Sequence, residues 1–193
     1  MARPQEVVLV RHGETEWSAS GRHTGTTDVP LTERGRAEGV GLAEPLAAWR
    51  FALTLTSPLT RARDTCRLAG LDAGAEVDEH LREWDYGRLE GLTTPEIRVE
   101  EPGWTVWRGP IPGGETIEQV AARADAVIAR VEQADGDVAL VSHGHFLRVL
   151  AARWLELDPV EGRRLMLDTA TLCVLGTERD LHAIRLWNGL PRR

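Results

Sequence analysis

The sequence predicts an α/β protein of three layers (α/β/α), in which helices cover both faces of a mostly parallel sheet that finishes in an antiparallel edge. Three observations carry this. Val7-Val8-Leu9-Val10 and Val138-Ala139-Leu140-Val141 are continuous apolar runs, as strands buried on both faces are. Segments with helical punctuation and spacing separate such runs. Near the end, residues 171–175 and 182–186 form two strand-like runs joined by Gly176-Thr177-Glu178-Arg179-Asp180, the pattern of an antiparallel pair.

Taken in order, the first strand stops abruptly at the polar cluster that begins with Arg11, so a site can start there. Thr32 is placed to cap a helix continuing through Glu33, Arg36 and Glu38, although its glycines argue against great length. A second strand, residues 52–56, leads into Ser57-Pro58-Leu59-Thr60-Arg61. There Ser57 suits the N-cap and Pro58 the first helical position, which puts Arg61 in the first turn. Thr116 and Gln119 have capping-box spacing, and Ile117, Val120, Ala124, Val127 and Val131 follow at helical intervals. After the turn Asp135-Gly136-Asp137 comes the second fully apolar strand, which ends in Ser142-His143-Gly144-His145 before the amphipathic residues 146–155. The strand-then-site pattern of Arg11-His12-Gly13 therefore occurs twice.

A chain of 193 residues with 42% hydrophobic content can bury one substantial core, and a single domain over residues 1–193 is expected. The net charge of −7 disfavours nucleic acid and anionic membrane surfaces as partners, since both call for a basic face. An anionic small molecule would need a local positive pocket, which screening over about 8 Å makes compatible with an acidic exterior. Cys66 and Cys173 lie in apolar contexts with neither disulfide-framework nor metal-ligand spacing, so two buried free thiols are expected. The opening residues, Met1 to Glu6, lack the hydrophobic stretch of a signal peptide, and no segment approaches a membrane-spanning length. A soluble cytoplasmic protein is the expectation.

Ligands of open α/β sheets bind at the carboxyl ends of strands near a switch in strand order. Three polar clusters sit at such ends here: Arg11-His12-Gly13, residues 57–61, and Ser142-His143-Gly144. An Arg and a His directly after a buried strand, then a Gly permitting close backbone approach, bring a nucleophile and a phosphate clamp to one point. Arg61 at a helix start adds a second guanidinium beside unpaired N–H groups that favour an anion. Taken singly, either Arg reads as a surface ion-pair partner and either His as structural. Two His-Gly turns after two buried strands are not explained by packing.

Four motifs in order, Arg11-His12-Gly13-Glu14-Thr15-Glu16-Trp17, Arg61-Ala62-Arg63-Asp64-Thr65, Glu83-Trp84-Asp85-Tyr86-Gly87 with Glu90-Gly91, and Ser142-His143-Gly144, resemble the signature of the histidine phosphatase superfamily, which includes phosphoglycerate mutases. The likeness runs from about Val7 to Ala152 and implies a phosphoglycerate mutase-like fold. It also implies that His12 attacks phosphorus and becomes a phosphohistidine, that Arg11, Arg61 and His143 hold the equatorial oxygens, and that Glu83 is the acid. No metal and no cofactor are called for, because phosphoryl transfer depends on positioning and charge neutralisation, which cationic side chains supply. Glu83 would protonate the leaving oxygen and then deprotonate the attacking water. For the first role it must start protonated, which fits an acidic pH optimum.

The resemblance further implies substrate contacts at Ser18, Thr24, Gly25, Trp84, Tyr86, Gly144 and His145. Ser18 stands where the family commonly has Asn, and it reaches less far. Trp104 and Trp107 are expected to pack in the core or in a lid over residues 95–114. A mutase of this superfamily carries a long basic insertion between the acid and the second histidine. The interval from Glu83 to His143 is short and without a clustered Arg or Lys pair, so a hydrolase is expected. Trp17-Ser18-Ala19-Ser20-Gly21, Thr24-Gly25-Thr26-Thr27-Asp28 and His143-Gly144-His145 resemble the branch with sedoheptulose bisphosphatase and actinobacterial acid phosphatases, which tilts the substrate towards small sugar phosphates and is compatible with a homodimer. A phosphoprotein-binding module without turnover has no need of His12, Glu83 and His143 together.

Overall fold

The computed structural model describes residues 5–179 and 181–189. The reading of Met1 to Pro4 as a leaderless start, and of Asp180 as part of a turn, lies outside them. The chain runs β1 (Val7–Arg11), α1 (Glu16–Ser20), α2 (Glu33–Gly41), α3 (Ala43–Leu46), β2 (Phe51–Thr56), α4 (Thr60–Leu68), β3 (Glu76–Val77), α5 (Thr94–Glu100), α6 (Ile117–Val131), β4 (Asp137–Ser142), α7 (Gly144–Trp154), β5 (Leu172–Glu178) and β6 (Leu181–Gly189). The strands form one sheet in the order β3-β2-β4-β1-β5-β6. The neighbours from β3 to β1 pair in parallel, while β1–β5 and β5–β6 are antiparallel. A mostly parallel sheet with an antiparallel edge is thus what the chain builds.

Alternation along β1 decides the layers. Val7 and Leu9 face a core with Leu55, Leu140, α6 and α7, whereas Val8 and Val10 face Leu42, Leu46, Ala62 and Cys66 from α2 to α4. All four are at most 1% exposed, so β1 carries helices on both faces as its unbroken apolar run requires. Val120, Ala124, Val127 and Val131 form the buried stripe of α6 behind a complete Thr116–Gln119 capping box, and Ile117 is half-buried at its start. Thr32 accepts from the Gly35 backbone N–H, confirming it as the cap of α2.

Two local expectations are corrected. Helix α4 begins at Thr60 with Leu59 at its N-cap and no side-chain cap; the Ser57 hydroxyl lies ahead of the helix, where it accepts from the Leu59 N–H (3.3 Å) and from His143 Nε2 (2.7 Å). Arg61 still falls in the first turn. The segment 176–180 is not a five-residue loop: β5 continues to Glu178, which pairs with Leu181 at the start of β6, and Arg179 has φ of 58°. The short β3 edge, two residues long, has no strand signal in the sequence.

The order of strands positions the site. β4 lies between β1 and β2, with Arg11 opposite Ser142 and Thr56 opposite Val141. His12 N–H donates to the Ser142 carbonyl (3.0 Å) and Ser57 N–H to the Val141 carbonyl (3.0 Å). The residues directly after three strands therefore converge at one end of the sheet, as ligand sites of α/β sheets do.

Candidate active site

His12 is buried at the end of β1, and its Nδ1 lies 2.7 Å from the carbonyl of Gly13. A carbonyl only accepts, so Nδ1 carries the proton and the lone pair is on Nε2. Nε2 has no hydrogen-bond partner among the described residues. Burial, then the charges of Arg61 and Arg11, hold this imidazole well below its ordinary pKa, so it stays neutral. The Gly13 turn is pressed against α2: a Cβ on Gly13 would lie 2.3 Å from the Gly35 carbonyl oxygen, and one on Gly35 would lie 2.0 Å from that of Glu14. Gly35, one of the glycines that made α2 look weak, is what lets the helix seat the loop that carries His12.

Around His12 lies a cavity of about 170 Å³, whose lining includes Arg11, Ser18, Thr24, Glu83, Tyr86, Gly144 and His145. Seven of the residues expected at the site thus share one cavity with His12. The Arg11 guanidinium is bonded to the Leu167 carbonyl through one terminal nitrogen, while its buried Nε has no partner, an unusual expense for a charged group unless an anion completes it. Gly144 leaves it room, since a Cβ there would lie 3.2 Å from the Arg11 Cζ. The Glu83 carboxylate, 6% exposed, is held by three backbone N–H groups: Trp84 (2.9 Å) and Phe146 (2.8 Å) donate to Oε1, His145 (3.0 Å) to Oε2. Two of those donors belong to the first turn of α7.

Arg61 and His143 stand immediately behind this cavity rather than in its lining. Arg61 is fully buried; its Nε–H donates to His143 Nδ1 (3.2 Å), and its terminal nitrogens donate to the carbonyls of Thr24 (3.3 Å), Gly25 (2.9 Å) and Thr27 (3.0 Å). One of its five N–H donors is left over. With Nδ1 accepting, His143 carries its proton on Nε2, which donates to Ser57 Oγ (2.7 Å). Direct contact of His143 with a phosphate oxygen would require its Nε2–H to leave Ser57. The His12 and His143 rings meet edge-on at 5.1 Å, and burial with the Arg61 charge keeps His143 neutral as well.

Of the remaining expected contacts, Ser18 uses its hydroxyl in the capping box with Thr15 that starts α1, and Gly25 offers Arg61 its carbonyl. Trp84 is 1% exposed, with its indole N–H on the Glu115 carbonyl and its ring against Trp107. It supports the site from the core, because a side chain anchored inward cannot also face the cavity. The Tyr86 phenol, pushed well above its ordinary pKa by burial and then Glu83, stays protonated and shares a hydrogen bond with His145 Nδ1 (2.6 Å). Trp104 and Trp107 pack as expected: Trp104 lies edge-on to His23 at 5.2 Å, Trp107 edge-on to His145 at 5.4 Å.

Five lining residues went unassigned from sequence: Gly21, Leu167 and the three polar side chains His23, Arg22 and Arg148. His23 packs on Tyr86 at 5.0 Å. Arg22 lines the mouth, whereas Arg82 pairs with Glu79 (2.8 Å) outside it. Arg148, one turn into α7, reaches the cavity while its guanidinium sits 4.7 Å over Trp107 and donates to the carbonyls of Gly162 and Arg163. Its i, i+4 spacing from Gly144 was the available signal. Both cysteines are free and buried, with burial pushing Cys66 up to about 11 and Cys173 up to about 12. Among the described residues no cluster of three His, Cys, Asp or Glu side chains is placed to hold a metal, and no helix is long and apolar enough to cross a membrane.

Three histidines held neutral by burial, His12, His143 and His145, tie stability to pH. Their folded-state pKa values lie below the unfolded value near 6.5, so below that pH the unfolded chain binds protons that the folded chain refuses. Their contribution is complete above about pH 6.5 and declines as pH falls towards the folded values, by up to about 1.4 kcal/mol per pH unit for each group. Thermal unfolding should show a Tm that drops several degrees from pH 7 to 5.5, less so in His12→Gln. A flat or rising Tm over that interval would contradict the neutral assignment.

Residues 7–189 match the model of the histidine phosphatase superfamily (branch 1). The chain is 43% identical to an acid phosphatase of Mycobacterium tuberculosis over 95% of its own length and 90% of the relative's. It is 36% identical to a sedoheptulose 1,7-bisphosphatase of Saccharomyces cerevisiae over 78% and 67%, respectively. A 2,3-bisphosphoglycerate-dependent phosphoglycerate mutase of Gloeobacter violaceus is 35% identical over 84% of the chain and 81% of the mutase. Among solved structures, a mycobacterial glucosyl-3-phosphoglycerate phosphatase superposes with a TM-score of 0.84 at 30% identity, covering 97% of this chain and all of that one.

Proposed function

Because the chain belongs to the histidine phosphatase superfamily, we propose that it acts, as a single cytoplasmic domain, as a metal-independent phosphatase that hydrolyses small sugar-phosphate-like monoesters through a phosphohistidine on His12. The observation that carries this is the neutral His12 with its Nε2 lone pair free, beside the unpartnered Nε of Arg11. The Nε2 lone pair attacks phosphorus, the ester P–O bond breaks, and the proton on Glu83 passes to the departing oxygen. Glu83, now a carboxylate, takes a proton from water as its oxygen attacks the phosphohistidine. The P–N bond breaks, inorganic phosphate leaves, and His12 and protonated Glu83 are restored. Arg11 meets the equatorial charge directly. Arg61 supplies field and one spare N–H, and His143 can turn its Nε2–H from Ser57 to a phosphate oxygen.

Arg11, Arg22 and Arg148 against the one carboxylate of Glu83 make the cavity cationic within a chain of net charge −7, which suits a compact, polar, anionic substrate. The relatives named for sugar bisphosphate and glucosyl-phosphoglycerate hydrolysis act on molecules of that kind, and they support this substrate class. The short stretch between Glu83 and His143 favours hydrolysis over a mutase reaction. Phosphate release from p-nitrophenyl phosphate in excess chelator tests the proposal: sustained turnover at acidic pH is expected. Loss of activity on chelation would remove the metal-free mechanism, and conversion of 3-phosphoglycerate to 2-phosphoglycerate faster than phosphate release would favour the mutase.

A further inference from the structure

We propose that Arg123 and Glu115 form a half-buried clamp that sets the position of Glu83, and that acid catalysis depends on it; this rests on the reading of Glu83 as the general acid. All five N–H donors of Arg123 are used. Nε and one terminal nitrogen grip the two Glu115 carboxylate oxygens side by side (2.8 Å each), the bidentate arrangement that only a guanidinium provides. The terminal nitrogens also reach the backbone carbonyls of His80 (2.6 Å), Arg82 (2.9 Å) and Glu83 itself (3.4 Å). Glu115 grips the other side of the acid: its Oε2 accepts from the Asp85 N–H (3.0 Å), its carbonyl from the Trp84 indole (2.9 Å), and its N–H donates to the Asp85 carbonyl (3.0 Å). The pair therefore holds the chain immediately before and after Glu83.

Arg123 also touches the partner of the carboxylate. Its guanidinium lies 5.0 Å above the ring of Phe146, whose N–H donates to Glu83 Oε1. Backbone and carboxylate of the acid are thus referred to one side chain on α6. Around Glu83 the backbone has only two short 3₁₀ turns, Glu79–Leu81 and Gly87–Leu89, and no helix or strand to fix residues 82–86 between them. The side chains of Arg123 and Glu115 are only 17% and 23% exposed, so their attraction is weakly screened. Neither lines the cavity around His12; both border a separate cavity of about 380 Å³ on the far flank of Glu83. They are positioning residues that act through Glu83.

The test compares an ester that needs an acid with one that does not. In Arg123→Lys, which keeps the charge and loses the fork, and in Glu115→Gln, which keeps its backbone bonds, kcat/KM should fall about 10–100-fold for phenyl phosphate and less than about threefold for 2,4-dinitrophenyl phosphate. Added to Glu83→Gln, Arg123→Lys should cost little more. Equal losses on the two esters, or full additivity with Glu83→Gln, would show a merely structural role and overturn the proposal. If Arg123→Lys does not fold, Glu115→Gln decides by the same ratio. Should Glu83→Gln by itself hit both esters equally, the assignment of Glu83 as acid falls, and the clamp's catalytic role with it.

Discussion

His12→Ala should lower kcat by about 10⁴-fold or more and leave no phosphorylated enzyme to trap, because the buried His12 Nε2 beside Arg11 carries a lone pair with no hydrogen-bond partner among the described residues. His143 is the competing candidate. Its two ring nitrogens are occupied by Arg61 and Ser57, so it has no lone pair to offer while those bonds last. Rapid quenching with a ³²P-labelled ester, followed by peptide mapping, checks this: wild type should carry an acid-labile, alkali-stable phosphate on His12, and His12→Ala none. Label on His143 would overturn the assignment. The neutral state of His12 adds a signature, since the nucleophile should remain competent below pH 6.5, where an ordinary histidine would be protonated.

Glu83→Gln should separate the two halves of the reaction. With a substrate whose leaving group needs protonation, phosphorylation should slow by about 10²–10⁴-fold. With a good leaving group the phosphoenzyme should still form and then accumulate, because a glutamine cannot take the proton of the attacking water. Glutamine keeps one carbonyl oxygen, which can still accept from the Trp84 and Phe146 N–H groups, and gives up the acceptor for His145, so most of the site's backbone hold survives while proton transfer is lost. A burst of released alcohol followed by slow phosphate release is the expected time course. Equal rates of release from the variant would mean that another group serves as the base.

Much of this was legible along the chain. Strands that are apolar on both faces announced their own burial, Thr32 and Thr116 announced helix starts, and the four spaced motifs singled out most of the residues that line the cavity around His12. What misread locally was what distant residues alter. Ser57 looked like a cap because its neighbours suit one, yet its hydroxyl bonds to a histidine 86 positions later. Trp84 looked like a pocket residue because it follows Glu83, yet its indole is anchored on Glu115. Arg123 gave no signal at all, being an ordinary charge on an amphipathic helix until the fold brings five acceptors to it.

By itself, then, the sequence determined the kind of elements, the facing of their side chains and the chemical types available, since periodicity, capping and turn formation are set within a few residues. The tertiary structure alone decided who meets whom. Placing β4 between β1 and β2 is what brings the ends of three strands together, puts the first turn of α7 under the Glu83 carboxylate, and withdraws Arg61 and His143 to the back of the cavity. That outcome depends on how two buried faces share one sheet and on which buried polar groups can satisfy each other, and both are properties of the packed chain as a whole.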